Sequence, residues 1–400
     1  MEFWIAARSN RRETLLTVYG AAAIGAEFAL VPATEIGTTN NIVPVHAPSR
    51  PQAAFKKDAV FQVCSGGTMG KPRRIRRTHR SWLASFEVNR RLFSIGVEDS
   101  YAVLGELHHS LALYGALEAI QLGADLRLLA AKRPESQLQA LCQHSVSVIY
   151  ATPIQLRMLA AAARSAGSNC PATRLVMAGG SPLDATTALE VLSVFPNAEL
   201  RQFYGATETS FVAMDDGKQT SGSSGFPYPG VEVVIKGMAD AVTAGVAGQI
   251  LVRSPYLCIG RGWPDFKDLR EGSGFIPTGD VGRWTDDGRL EVLGRKDRMF
   301  KVADVAVFPE QIECFISSIP GVEGAQVYPV ADALRGNAVS ARVVVQNNGP
   351  AADEISSRCR DRFGSLSAPR QVSVTGLPLT SGRKGMVWPS SFQGWDVAGE

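Results

Sequence analysis

Ser65, Thr68 and Lys71 stand among three glycines in Ser65-Gly66-Gly67-Thr68-Met69-Gly70-Lys71-Pro72-Arg73-Arg74, directly after the apolar run Val60-Phe61-Gln62-Val63. Glycines let a backbone approach an anion closely and aim several N–H groups at it, while the hydroxyls and the ammonium add donors and positive charge. Phosphate, and so nucleotide, is the first ligand this pattern points to. The loop departs from the common triphosphate-binding loop: Gly66 and Gly70 enclose three residues (67–69), and Pro72 stands where a Ser or Thr metal ligand belongs. Pro72 also biases Lys71 away from helix, so the next helix begins later, with Thr78 as cap and Trp82, Leu83 and Phe86 as its apolar face. Such a loop is longer and looser than a helix-terminal cradle and could close over a ligand. A plain Gly/Ser turn has the same composition, so the loop alone leaves both readings open.

The elements that position it alternate. Apolar strand patterns at 101–104, 126–129, 146–150 and 174–178 are separated by helical patterns at 111–122, 137–142 and 154–163, with a further helix at 185–194. This is α/β wiring with parallel strands, in which ligands gather at the carboxyl ends. Gly179-Gly180-Ser181, at one such end, is therefore expected to share a cleft with the loop. Residues 220–230 read as a linker on composition. Beyond them lies a β-rich section with strands near 231–235, 249–252 and 289–293. A charged turn, Gly294-Arg295-Lys296-Asp297-Arg298, precedes a smaller α+β region with helices at 309–317 and 353–363 and strands at 325–330 and 339–345. The expected organisation is a large N-terminal domain, 1–296, of parallel α/β sheets plus a β-rich section, and a small mobile α+β domain, 297–400.

With 400 residues, 45% apolar and 20% charged, the chain has ample material for a large core, and wholesale disorder is excluded. A formal charge of +3 excludes a chain built throughout as a polyanion binder. Lys71, Arg73, Arg74, Arg76, Arg77 and Arg80 form a local basic run that could bind nucleic acid, but no aromatic series interleaves them, and no nucleic-acid partner is expected. The six cysteines include no C-x-x-C pair, which points to neither a zinc site nor a disulfide framework and favours a reducing cytoplasm. Arg8, Arg11 and Arg12 before the apolar residues 15–26 have the layout of an export signal. Glu13, Glu27 and the strand-like 28–32 favour instead the helix and strand of a Rossmann-like unit. No stretch is long enough to span a bilayer.

The loop at 65–74, Tyr204-Gly205-Ala206-Thr207-Glu208, Thr278-Gly279-Asp280, the turn at Gly294-Arg295-Lys296-Asp297 and Leu377-Pro378-Leu379-Thr380-Ser381-Gly382-Arg383-Lys384 resemble, in order and spacing, the motifs of the adenylate-forming superfamily. That superfamily includes acyl- and aryl-CoA synthetases, adenylation domains of peptide synthetases and luciferases. The resemblance covers nearly the whole chain and implies attack of a carboxylate on the α-phosphate of ATP, giving an acyl-adenylate and pyrophosphate. It implies that Ser65, Gly66, Gly67, Thr68, Gly70 and Lys71 hold the β- and γ-phosphates. Gly179, Gly180, Ser181, Tyr204, Gly205 and Ala206 would border the nucleotide, Thr207 would approach the α-phosphate, and Glu208 would carry Mg²⁺. Asp280 and Arg295 would hold the ribose hydroxyls, a task suited to a carboxylate acceptor and a forked guanidinium. Asp297 would be the hinge about which the small domain swings between an adenylation pose and one that admits a thiol. For the late lysine, counting from Thr380 selects Lys384 and counting from Ser381-Gly382 selects Arg383. Lys384 matches the family's compact ammonium.

The sequence also departs from that pattern. The family's usual N-terminal portion is absent ahead of the loop, as in compact stand-alone ligases of bacterial pigment and phenazine pathways. Arg73 and Arg74 replace the loop's Lys and Gly, which keeps charge and lowers flexibility. Asp304 replaces a Gly that lines the pantetheine channel, which argues against entry of the highly anionic CoA. The resemblance thus implies transfer to the phosphopantetheine thiol of an acyl carrier protein, with an acid–CoA ligase or a catalytically silent nucleotide binder as alternatives. His108 and His109 fall where the family contacts the acid. No Asp meets an ammonium there, although Glu106 is close, so a small aryl or short unsaturated carboxylic acid is expected rather than an amino acid.

Overall fold

The computed structural model describes residues 2–7, 14, 18, 27–32, 60–65, 73–130, 132–217, 225–237, 245–261, 269, 274–346 and 349–375. Strands β1 (Glu2–Ala7), β2 (Glu27–Pro32), β3 (Val60–Ser65) and β4 (Arg73–Thr78) lead into α1 (His79–Leu92). An alternating run follows: β5 (Ser100–Val103), α2 (Ser110–Leu122), β6 (Asp125–Leu128), α3 (Pro134–Gln143), β7 (Val148–Ala151), α4 (Pro153–Ala166), β8 (Leu175–Gly179), α5 (Ala185–Val194) and β9 (Glu199–Ala206). Next come β10 (Ser210–Met214), β11 (Phe226–Pro227), β12 (Glu232–Gly237), β13 (Gly248–Arg253), β14 (Gly260–Arg261), β15 (Ile276–Trp284) and β16 (Leu290–Arg295). The last part holds β17 (Phe300–Val302), β18 (Val305–Val307), α6 (Pro309–Ser317), β19 (Val322–Asp332), β20 (Gly336–Val345), α7 (Ala352–Ser367) and β21 (Gln371–Thr375).

The central sheet has the order β11-β10-β9-β8-β7-β5-β6, with its β9 to β6 portion parallel and β10 and β11 antiparallel. Period-two alternation feeds two cores. Tyr101, Val103, Val148, Tyr150, Leu175 and Met177 point into one; Ala102, Ile149, Ala151, Val176 and Ala178 point into the other. A sheet covered on both faces must be apolar at every position, which is why these strands read as continuous hydrophobic runs. Helix α4 shows how local sequence sets the helix limits. Thr152 and Gln155 form a capping box, Pro153 occupies the first turn, and Gly167 ends the helix in the left-handed region at φ 58°.

A second sheet runs β1-β2-β3-β4-β14, and a third, antiparallel, runs β12-β13-β15-β16. The residues from Phe300 on form their own core around Val302, Ile312, Ile316, Val339 and Ile355. A hairpin of β17 and β18 and the sheet β19-β20-β21 belong to this unit.

Three expectations need correction. The basic residues after Pro72 are not loop: Arg73 to Thr78 form β4, antiparallel to β3, with Ser65 opposite Arg73 and Cys64 opposite Arg74. The glycine-rich loop therefore joins two strands, and Thr78 is the N-cap of α1 as expected, though it makes no side-chain capping bond. The end of the supposed linker is ordered structure instead, with one residue in the core. Phe226 and Pro227 extend the central sheet, and Tyr228 is buried, donating its hydroxyl to Asn89 Oδ1 at 2.7 Å. Finally, Cys142 and Cys170 form a disulfide, with Cα atoms 5.0 Å apart, between the end of α3 and the approach to β8. C-x-x-C spacing misses this pair because the fold, not the sequence interval, brings the two together. The cysteines thus supply no argument for a reducing compartment. No helix among the described residues is long and apolar enough to cross a membrane.

Candidate functional site

Parallel pairing brings the carboxyl ends of β8 and β9 side by side, with Gly179 opposite Phe203. A Cβ on Gly179 would collide with the Phe203 ring, so the absence of a side chain there lets the aromatic ring lie against the strand. Gly180 follows at φ 96°, which takes the chain out of the strand toward Ser181, an exposed residue. Tyr204 and Gly205 lie on β9 and Ala206 ends it. A Cβ on Gly205 would collide with the Ser210 carbonyl across the turn into β10.

On the antiparallel sheet, β15 and β16 pair so that Asp280 stands opposite Arg295. Tyr204 donates its hydroxyl to Asp280 Oδ2 at 2.6 Å, and Arg295 Nη1 donates to Asp280 Oδ1 at 3.4 Å. Burial raises the carboxyl pKa of Asp280 above its ordinary value, while Tyr204 and Arg295 pull it back. Burial also raises the Tyr204 hydroxyl well above the usual tyrosine range, so it is a donor at neutral pH. Arg295 continues to Asp297 Oδ1 at 3.3 Å, which links the expected ribose residues to the expected hinge. Thr278 Oγ1 accepts from the Asp280 N–H at 3.1 Å, and Gly279 between them has φ 82°, a left-handed turn that places Thr278 and Asp280 together.

Thr207 and Glu208 form the turn between β9 and β10. Thr207 is buried and Glu208 half-buried. Among the described residues the Glu208 carboxylate makes no hydrogen bond or ion pair, so a hard oxygen donor stands available at the carboxyl end of β9. That is the chemistry a Mg²⁺ ligand requires, and the residues present fit one.

The His108 and His109 rings lie with centroids 4.1 Å apart and planes tilted by 44°. His109 is the residue before α2 and bridges to Cys64 of β3, one residue before Ser65. The acid-side candidates therefore lie at the root of the glycine-rich loop. Ser65 Oγ donates to the Arg73 carbonyl at 3.2 Å. Gly66, Gly67, Thr68, Gly70, Lys71, Arg383 and Lys384 lie outside the described residues. The structure thus brings Gly179, Gly180, Tyr204, Gly205, Asp280, Arg295 and Asp297 into one cluster, with Thr207 and Glu208 on its β9 side.

Sequence reasoning missed two groups nearby. Glu118 of α2 is fully buried and accepts from Tyr150 at 2.6 Å, Asn89 at 2.8 Å and Tyr101 at 3.2 Å. Burial pushes its carboxyl pKa up to about 7, against the lowering effect of these donors. Arg77, the one buried residue among the described members of the basic run that could be read as a nucleic-acid footprint, is wholly inside the protein. Neither carries a signal in the chain: a glutamate within an apolar helix pattern and an arginine within a charged strand look like surface residues.

The chain matches the AMP-binding enzyme family over residues 8–262 and the C-terminal domain of AMP-binding enzymes over residues 311–384. It is 29% identical over 325 residues to an uncharacterized acyl–CoA ligase of Bacillus subtilis, covering 80% of this chain and 65% of that one. It is 27% identical over 323 residues to the salicyl-AMP ligase / salicyl-S-ArCP synthetase of Mycobacterium tuberculosis, covering 78% of this chain and 57% of that one. It therefore spans less than two thirds of the length of these relatives. In fold it resembles the o-succinylbenzoate CoA synthetase of Bacillus subtilis in complex with its acyl-adenylate intermediate, with a TM-score of 0.79 at 19% identity over 94% of this chain and 85% of that one. The chain belongs to the adenylate-forming AMP-binding enzyme family.

Proposed function

We propose that this protein is an ATP-dependent acid ligase that forms an acyl-adenylate and passes the acyl group to the phosphopantetheine thiol of an acyl carrier protein. The observation that carries the reading is the Tyr204–Asp280–Arg295 cluster beside the open Glu208 carboxylate, in a chain of this family. Asp280 accepts from the two ribose hydroxyls while Tyr204 and Arg295 keep its carboxylate aimed, and Gly179 and Gly180 border the base. Thr207 donates its hydroxyl toward the α-phosphate as the acid's carboxylate attacks it. Glu208 is the Mg²⁺ ligand, and the metal's contribution when bound is to neutralise charge on the phosphates. Catalysis is then mostly positioning and electrostatics, with the glycine-rich loop, Ser65 and Lys71 included, over the departing pyrophosphate and Lys384 between carboxylate and α-phosphate.

Asp297 is the proposed hinge and 296/297 the boundary of the mobile part. The carrier-protein acceptor rests on Asp304, exposed at the tip of the β17–β18 hairpin, where a carboxylate opposes the anionic CoA. The second reading, an acid–CoA ligase, is favoured by the name of the Bacillus subtilis relative. We place the protein in the cytoplasm, where ATP and such thiols are at hand. The small aryl or short unsaturated acid is proposed from His108 and His109 at the root of the loop.

Acid-dependent exchange of labelled pyrophosphate into ATP over benzoic, cinnamic, fatty and amino acids tests the first half-reaction. Exchange with an aryl or short unsaturated acid is expected, and exchange with none of the panel overturns the reading. Parallel transfer assays to holo-carrier protein and to CoA decide the acceptor.

A further inference from the structure

Arg77 lies on β4, has no exposed surface, and spends its guanidinium on three separate segments. Nε donates to Ser81 Oγ at 3.2 Å in the first turn of α1, Nη1 to the Thr207 carbonyl at 2.9 Å, and Nη2 to the Tyr256 carbonyl at 2.5 Å. The guanidinium carbon sits 4.9 Å from the centre of the Trp82 ring. Among the described residues no carboxylate lies within ion-pair distance of it.

A buried cation without an anion is costly, and an apolar side chain of similar length would avoid that cost. What the arginine supplies in return is geometry. A planar fork holds three separate nitrogens in fixed directions toward acceptors on different segments, whereas an ammonium's donors all leave one rotating nitrogen and an apolar chain has none. Both carbonyls border the candidate site. The turn holding Thr207 and Glu208 is fixed by Nη1 on one side, and on the other by the Cys258 N–H, which donates to the Glu208 carbonyl at 2.8 Å. The segment carrying Tyr256 and Cys258 is itself tied to β4: the Ile259 N–H donates to the Arg76 carbonyl at 2.9 Å, and Gly260 pairs with Arg76. The result is a closed ring of contacts from β4 to the Thr207–Glu208 turn, to Cys258, and back to β4. Burial lowers the guanidinium pKa to about 10, opposed by Cys258, Tyr114 and Glu208, so the group stays charged at neutral pH. Its positive charge lies behind the turn, where it favours anions in front.

We propose that Arg77 is a positioning residue for the phosphate and metal end of the nucleotide site: a buried clamp that locks the Thr207–Glu208 turn to the strand leaving the glycine-rich loop. This rests on the reading of Thr207 and Glu208 as nucleotide-side residues.

The test compares MgATP with adenosine, which uses the Tyr204–Asp280–Arg295 end alone, by equilibrium titration of Arg77→Met and Arg77→Lys. Both variants are expected to bind adenosine as the parent does while losing about tenfold or more in MgATP affinity, because lysine keeps the charge but not the fork. Undiminished MgATP binding by Arg77→Met, or rescue by Arg77→Lys, overturns the clamp. Parallel loss of both ligands shows a merely structural role and overturns it as well. Should both variants fail to fold, Ser81→Ala, which removes the acceptor of Nε together with the hydroxyl's own 2.7 Å bond to the Thr78 carbonyl, decides: weaker MgATP binding with unchanged adenosine supports the clamp, and no change rejects it. A parent protein that binds neither ligand overturns the nucleotide reading itself, and the clamp with it.

Discussion

Tyr204 of the parallel sheet donates a 2.6 Å hydrogen bond to Asp280 of the antiparallel sheet, so one proton joins two layers that share no strand. Replacing Tyr204 by Phe frees Asp280 to turn and leaves a buried carboxylate with one donor fewer. The expected result is a ten- to hundredfold rise in the KM for ATP, about the value of a hydrogen bond to a charged group. Pyrophosphate-exchange kinetics would reveal it, and an unchanged KM would remove Asp280 from the ribose role.

Glu118 predicts a pH dependence of stability. Its carboxyl is raised to about 7 in the fold, from an ordinary value near 4.5, so the folded state holds the proton more tightly than the unfolded chain. The contribution is complete below the unfolded value and is lost as pH rises through 7, amounting to about 3 kcal/mol for such a shift. Denaturant unfolding at pH 5 and pH 8 should therefore show a decline in the parent that is flatter in Glu118→Gln. Equal slopes would mean that the fold does not raise the Glu118 carboxyl.

Gly179→Ala forces a Cβ into the Phe203 ring. Overpacking of this kind costs about 1–3 kcal/mol. Because Phe203 precedes Tyr204, acid activation should fall with stability, and Phe203→Ala in the same chain should restore stability in part. Thermal unfolding of the single and double variants measures the coupling.

The Cys142–Cys170 disulfide closes an interval of 28 residues. Denatured, unreduced protein should show four reactive thiols, from Cys64, Cys258, Cys314 and Cys359, rising on reduction as Cys142 and Cys170 are released. Cys142→Ser should destabilise by about 3 kcal/mol through the freed unfolded chain. Six thiols before reduction would show the pair unbonded.

Lys384→Ala is expected to abolish most adenylation while Arg383→Ala does not. The reverse pattern in pyrophosphate exchange would assign the late cation to Arg383.

Much of the fold was legible because burial on both faces writes strands as apolar runs and helices as periodic ones. The parallel wiring of β5, β7 and β8 follows from that text, while their order in the sheet does not. β4 was not legible: in Arg73-Arg74-Ile75-Arg76-Arg77-Thr78 only Ile75 marks the buried side, and the other buried residue is Arg77. Tyr228 hid in a Gly/Pro/Ser run because composition weighs residues equally, whereas one aromatic ring with a hydroxyl partner decides where a segment packs. Asp280 and Arg295 could be named from motif resemblance, but their contact with Tyr204 comes from the packing of two separate sheets and needs the structure.

Arg157 and Thr186 give the unit built around Val302 and Ile316 its attachment to the central sheet's helices. Arg157 Nη1 donates to the Glu323 carbonyl at 3.3 Å and Thr186 Oγ1 to the Ser318 carbonyl at 3.2 Å. Arg157 is braced by an ion pair with Asp184 at 2.7 Å, so its donor is already aimed. Both bonds end on main-chain oxygens. The seam therefore places no demand on which side chains occupy positions 318 and 323, and these two bonds hold it by only about 2 kcal/mol. The join is therefore read from side chain to backbone, so it discriminates by where the far chain runs and not by what that chain carries.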